Sequence, residues 1–197
     1  RQARQTWGAL AEGRARKTSP DRREDLTARL LAWMQTMQPQ PAALHVANST
    51  AVRLVAAVHR GGGIPVYANR GLNGIEGSLS VAAGYALAGG GMSVMLIGDL
   101  SFFYDANSLF NVRLDHRLRI MVVNNGGGGI FHRLPGIDCS PALHDYISAG
   151  HPFSVSGIAT SFRCTYMTAT TTCLAEDFDR LVTQIFEQPS ERPVVLE

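Results

Sequence analysis

Residues 93–125 read SVMLIGDLSFFYDANSLFNVRLDHRLRIMVVNN. The stretch opens with an apolar run, 93–97, that ends in Gly98 and Asp99. It closes with a second run, 120–123, that ends in Asn124 and Asn125. Between them the apolar residues recur at roughly helical spacing. Strand, helix, strand is a βαβ unit, whose parallel strands carry their carboxyl ends to the same edge of a sheet. Asp99 and Asn125 therefore belong together on the ligand-binding edge. One supplies a carboxylate and the other an amide carbonyl, hard oxygen donors that suit Mg²⁺ held against a phosphate. A helix cap for Asp99 and a turn for Asn125 are the ordinary alternatives. Neither accounts for two oxygen donors at equivalent strand ends, about 26 residues apart.

Working outward, the same alternation repeats. Short apolar runs at 43–47, 64–68, 93–97, 119–123, about 164–168 and 193–196 are separated by segments of helical periodicity near 49–59, 77–89, 103–115, 155–161 and 174–187. This predicts an α/β fold: a doubly wound, mainly parallel sheet of about six strands with helices on both faces. Ahead of it, residues 1 to about 23 are polar and basic and read as a solvated helix and linker rather than a nucleic-acid patch. Ser19, Pro20 and Asp21 look like a helix start, followed at helical spacing by Leu26, Leu30, Leu31, Met34 and Met37. Pro39 and Pro41 break the pattern and place a domain boundary there, with 1–41 as an appendage and 42–197 as the α/β domain. No solenoid-period repeat is present.

Composition narrows the classes. A hydrophobic fraction of 45%, a charged fraction of 17% and a formal charge of +2 describe an ordinary globular chain with no field directed at nucleic acid. No apolar run reaches the roughly 18 residues of a membrane span, and no secretory signal opens the chain. Cys139, Cys164 and Cys173 form neither a CxxC pair nor an even set, so reduced thiols in a cytoplasmic protein are expected. The chain opens on Arg1 without a methionine, which suggests a piece of something longer.

Three further segments follow strand ends. Asn124 to Phe131, with glycines at 126, 127, 128 and 129, frees main-chain groups to meet an ion. It is not a dinucleotide fingerprint, because Phe131 stands where a third glycine is required, and no GK[ST] marks a phosphate loop. Ile130, Phe131 and Leu134 suit either a core or an apolar pocket wall. After the second strand, ANRGLNGIEG (68–77) sets Arg70 where it can grip a carboxylate or form a surface ion pair. After the first, Asn48 and Ser49 precede Arg53 by one helical turn, which brings a helix N-terminus, a hydroxyl and a guanidinium to one anion. His45 and His132 have no nucleophile or metal-spaced partner and are not read as catalytic.

Gly-Asp followed by Asn-Asn resembles the signature of thiamine diphosphate (ThDP) enzymes. Leu100 replaces the third glycine of that signature. Together, GDLSFFYD, ANRGxxGIEG, ANSxxxR and NNxGGGIFxxLP resemble one branch, the MenD family of synthases in menaquinone biosynthesis, over residues 42–197. The resemblance implies a diphosphate-binding domain preceded by the tail of a central domain. It implies that Asp99, Asn125 and the Gly127 carbonyl hold Mg²⁺ (or Mn²⁺). Gly74, Ile75, Gly98, Leu100, Ser101, Ile130 and Phe131 would line the cofactor, with amides near Leu100 and Ser101 on the diphosphate and Ile75 bending the cofactor. Ser49, Arg53 and Arg70 would meet substrate carboxylates, beside an apolar wall of Ile130, Phe131 and Leu134. Ile75, Arg70, Arg53, Ser49 and Phe131 are thereby the catalytic candidates. Two positions depart from the family: Glu76 stands for a common aspartate, and Gly126 for asparagine or aspartate.

The implied reaction is decarboxylation of 2-oxoglutarate and addition of the resulting acyl anion to isochorismate. The glutamate that activates the aminopyrimidine would come from a pyrimidine-binding domain of a partner subunit, in a homodimer or tetramer. The chain alone would then be inactive. Another ThDP-dependent 2-oxo acid decarboxylase or synthase, and a non-catalytic diphosphate-binding module, remain as alternative readings of the same residues.

Overall fold

The apolar runs become strands of one sheet because they are apolar on both faces, as strands covered by helices on either side must be. The computed structural model describes residues 22–37, 39–59, 61, 63–89, 91–137, 140–169 and 175–197. The helix start expected at Ser19, Pro20 and Asp21, the side chain of Leu26, and Cys139 and Cys173 lie outside the described residues. The strands are β1 (Ala43–Val46), β2 (Val66–Ala68), β3 (Ser93–Gly98), β4 (Leu118–Val123), β5 (Thr165–Met167) and β6 (Val194–Leu196). All pair in parallel, in the order β2-β1-β3-β4-β6-β5. β3 and β4 stay in register from Ser93 opposite Leu118 to Gly98 opposite Val123. β1, β6 and almost all of β3 and β4 are buried, whereas the edge strands β2 and β5 are not fully so.

The helices are α1 (Arg22–Thr36), α2 (Thr50–Val58), α3 (Ser78–Leu87), α4 (Asp99–Asp105), α5 (Ser156–Ser161) and α6 (Ala175–Glu187). From β1 the chain moves one way to β2, then crosses to β3 on the other side. Right-handed crossovers therefore put α2 and α6 on one face and α3 and α4 on the other. The packing agrees: α1 lies against α2 and α6, and α3 against α4. Trp33 of α1 meets Phe186 of α6 at a ring distance of 4.5 Å. Leu30, Leu31 and Met34 of α1 belong to the same hydrophobic core as the sheet.

The helix expected over 103–115 is corrected at both ends. α4 begins at Asp99 directly after β3, passes into a 3₁₀ segment (Ala106–Phe110), and is over by Asn111. Gly98 is extended (φ −81°, ψ 161°) and serves as the cap residue, and Asp99 brings negative charge to the first turn, where the helix dipole favours it. Leu109 and Leu114 are buried, and Phe103, Ala106, Phe110 and Leu114 mimic helical spacing. The carbonyls that a helix would use are taken elsewhere: the Arg192 guanidinium donates to Leu109 O, Asn111 O and Leu114 O at 2.7–3.2 Å.

The fold thus has its reversal of winding between β1 and β3. The carboxyl ends of β1, β2, β3 and β4 open there to one crevice, where parallel sheets of this kind bind ligands.

Candidate functional site

A cavity of about 650 Å³ lies at that reversal, within the range of small-molecule sites. The end of β1 contributes Asn48, Ser49 and Arg53 to its wall, and the loop after β2 contributes Arg70, Gly74 and Ile75. β3 and α4 contribute Gly98, Asp99, Leu100 and Ser101. The β4 end and its glycine loop contribute Asn125, Gly127, Ile130, Phe131 and Leu134. Every site residue expected from the sequence therefore lines one cavity, although they come from segments up to 85 positions apart. His45 and His132 do not line it. His45 is buried between Tyr67 and Tyr85, and that burial lowers its pKa.

Asp99 is buried, with 3% of its surface exposed. Its Oδ1 accepts the Leu100 N–H at 2.8 Å and its Oδ2 accepts the Gly127 N–H at 2.8 Å. A bond of this second kind ties the helix start to the glycine loop across the two strand ends. Gly127 has φ +143°, and a Cβ there would come within 2.7 Å of Ser148 O, so only glycine fits. The Gly127 carbonyl, expected to face an ion, accepts the Gly129 N–H at 3.0 Å, which still leaves one lone pair. Gly128 N–H donates to Ser148 O at 2.6 Å and closes the loop on itself. Asn125 is exposed at the cavity wall, its amide laid over Gly129 where a Cβ would otherwise stand.

Gly98 behaves differently. Its backbone is extended and a Cβ would meet no protein atom within 4 Å. Neither conformation nor protein packing demands glycine there. Its bare backbone on the cavity wall leaves room for a ligand to approach the start of α4.

The other half of the cavity is organised by Asn48, whose structural role the sequence reading did not single out. Asn48 is 3% exposed. Its Nδ2 donates to Asn69 O (2.8 Å), Leu72 O (3.3 Å) and Gly74 O, gathering the loop after β2 against the end of β1. Its Oδ1 accepts Arg70 Nη1 at 3.0 Å, so Arg70 is aimed by an amide rather than neutralised by a carboxylate. Ser49 adopts φ +70° without being glycine, a strained geometry of the sort found at binding sites. Its carbonyl accepts Arg53 Nη1 at 2.7 Å. The Ser101 hydroxyl donates to Ile75 O and fixes the Ile75 turn to α4, so of Ser101 the backbone amide is the group available to an anion. Asp105 of α4 takes Ser80 N–H at 2.7 Å and the Ser80 hydroxyl at 2.5 Å, capping α3.

Asn124 carries no ligand role but orders the loop beside it. Its Oδ1 accepts Gly126 N–H at 2.9 Å, and its Nδ2 donates to Phe153 O and Glu197 Oε1. Glu197 also accepts from Ser154, Val155 N–H and Tyr166. Partial burial raises its pKa, but these bonds outweigh burial and hold it below the usual glutamate value. Nothing local in the sequence marks this network; its members meet only through the pairing of β4 and β5 with β6.

With this geometry in place, comparison with known proteins gives four findings. Residues 48–197 match the family described as "Thiamine pyrophosphate enzyme, C-terminal TPP binding domain". The 2-succinyl-5-enolpyruvyl-6-hydroxy-3-cyclohexene-1-carboxylate synthase of Bacteroides thetaiotaomicron is 50% identical over 121 residues, 61% of this chain and 22% of that protein. The synthase of the same name from Phocaeicola vulgatus is 42% identical over 161 residues, 81% of this chain and 28% of that protein. A solved structure from Mycobacterium smegmatis, assigned to the thiamin diphosphate-dependent enzymes, superposes with a TM-score of 0.56 at 19% identity, covering 86% of this chain and 30% of that one. That last likeness speaks to the fold alone. The chain spans less than a third of the length of the curated relatives it matches. It belongs to the family of C-terminal thiamine pyrophosphate-binding domains of thiamine pyrophosphate enzymes, and within that family its similarity is to the MenD-type synthases.

Proposed function

We propose that this chain is the diphosphate-binding portion of a Mg²⁺- and ThDP-dependent, cytoplasmic synthase that decarboxylates 2-oxoglutarate and adds the acyl unit to isochorismate. Residues 1–41 would be the tail of a central domain with its linker, and 42–197 the cofactor domain. The observation that carries the reading is the convergence of four strand ends on one cavity in a chain of this family. The donors present fit the cation: Asp99 Oδ1, the Asn125 amide oxygen and the Gly127 carbonyl are hard oxygens, and each retains a free lone pair or an exposed position. Glycine at 98, needed by neither backbone nor packing, fits a diphosphate brought against the start of α4.

When bound, thiamine diphosphate supplies a carbanion nucleophile and an electron sink. The chain's own residues would do the rest. Asp99, Asn125 and Gly127 O would hold the metal, and the Ser101 amide would receive the diphosphate, the expected Leu100 amide being donated to Asp99 Oδ1 instead. Ile75, fixed by Ser101, would line the cofactor. Arg70, aimed by Asn48, and Arg53, beside Ser49, meet substrate carboxylates, while Ile130, Phe131 and Leu134 exclude water from the reacting face. The pyrimidine-binding half would come from a partner subunit of a homodimer or tetramer, so the isolated chain is expected to be inactive.

Calorimetric titration of ThDP into this chain, with and without Mg²⁺, tests the site. Mg²⁺-dependent binding that disappears in Asp99→Ala is expected. Wild type binding no better than the variant would defeat the metal assignment, and turnover of 2-oxoglutarate by the isolated chain would defeat the two-subunit reading. Mass-spectrometric product analysis of the full-length synthase, with and without isochorismate, tests the substrate pair.

A further inference from the structure

His151 stands outside every motif of the sequence reading and outside the cavity wall, yet its ring is turned toward Asp99. Its side chain is 7% exposed, and its Nε2 lies 3.3 Å from Asp99 Oδ2. The ring is held on three sides. Phe153 stacks on it at 5.7 Å and 13°, and Phe103 of α4 meets it edge-on at 5.3 Å. Its Nδ1 accepts the Phe153 N–H at 3.1 Å, and its own backbone N–H donates to Gly126 O at 3.0 Å.

These contacts determine the tautomer. A ring nitrogen that accepts a backbone N–H has no proton, so the neutral imidazole carries its proton on Nε2. That nitrogen is buried and makes no hydrogen bond of good geometry, and the nearby Asp99 Oδ2 is an acceptor it can reach. Each carboxylate oxygen has two lone pairs. On Oδ2 one is taken by Gly127 N–H, and His151 Nε2 lies within reach of the same oxygen. On Oδ1 only the adjacent Leu100 N–H is bound.

We propose that His151 is a positioning residue for the Asp99 carboxylate. Together with the Gly127 amide it saturates Oδ2, so that Oδ1 is the oxygen presented to the cation, and it holds the glycine loop against α4 at the same time. The inference rests on the reading of Asp99 as a metal ligand. It adds to that reading which oxygen binds and what keeps it in place. Outer partners of this kind fix a ligating carboxylate and change metal affinity when removed.

Two variants separate a donor role from mere packing. His151→Phe keeps the aromatic stack and loses the donor; His151→Gln places an amide N–H near the Nε2 position. The first measurement uses this chain without cofactor: imidazole ¹⁵N NMR should show the Nε2–H tautomer, with the Hε2 signal shifted by Asp99→Asn and unmoved by Asp105→Asn. The Nδ1–H tautomer, or an Hε2 signal indifferent to Asp99→Asn, would overturn the proposal. The second is Mg²⁺ titration at saturating ThDP. His151→Phe should weaken Mg²⁺ about 10- to 100-fold, with His151→Gln recovering most of the loss and circular dichroism showing both variants folded at the titration temperature. Phenylalanine binding Mg²⁺ like wild type, or glutamine failing as badly as phenylalanine, would overturn it. If wild type itself bound no Mg²⁺, the metal-site reading would fall, while the NMR arm would still decide whether His151 and Asp99 are coupled.

Discussion

Replacing Asn48 should unfasten one half of the cavity, and the size of the effect follows from its contacts. The amide nitrogen has two protons shared among three carbonyls, and its oxygen accepts one bond from Arg70. Asn48→Ala therefore loses two to three hydrogen bonds at a site that is 3% exposed. At about 0.5–1.5 kcal/mol for each bond, the loss is about 1–4.5 kcal/mol. For a chain of this size that corresponds to a fall in Tm of roughly 2–18 °C. Asn48→Asp has the same shape but turns a carboxylate oxygen toward the three carbonyls, and should cost more than alanine. Urea unfolding followed by circular dichroism measures the global change, and amide hydrogen exchange over 69–77 shows where it originates. An alanine variant within about 0.5 kcal/mol of wild type, or an aspartate variant as stable as asparagine, would refute the account of Asn48 as the donor that gathers this loop.

Other outcomes follow from the same structure. Gly127→Ala forces a Cβ to within 2.7 Å of Ser148 O at φ +143° and should destabilise the protein by about 2–3 kcal/mol in chemical unfolding. Gly98→Ala, with open space around its Cβ, should stay within about 0.5 kcal/mol in unfolding while weakening ThDP binding in titration. Glu197 has a lowered pKa in the fold, because four hydrogen bonds outweigh the partial burial that would raise it. Its contribution is complete above the usual glutamate range, about pH 4.3, and is lost as pH falls through the lowered value. Unfolding midpoints measured from pH 7 downward should therefore fall less steeply in Glu197→Gln than in wild type. Burial pushes the Cys164 thiol up to about 11, so mass-mapped alkylation at pH 8 should leave it unmodified until the protein unfolds.

Legibility followed the range of the interaction. The buried strands could be read because a strand covered on both faces is largely apolar, as Val94 to Ile97 and Ile120 to Val122 show, and the turn at Gly98 marks its end within the local sequence. The parallel pairing and the shared edge followed from the strand–helix–strand alternation, whereas the strand order did not. The helix at 103–115 was misplaced because its apolar spacing continues through Leu114, whereas Arg192, distant in sequence, takes three carbonyls of this stretch.

The sequence by itself determined the α/β class, the approximate strands, and which residue types stand at the strand ends, because backbone periodicity and glycine placement are local properties. Tertiary structure alone decided how those residues are held. Asn48 meets Gly74, Asp99 meets Gly127 and His151, and Asn124 meets Glu197 only after the strands pair. Hydrogen-bond partners 26 to 73 positions apart leave no spacing in the chain to read, and their geometry exists only once burial has removed water as the competing partner.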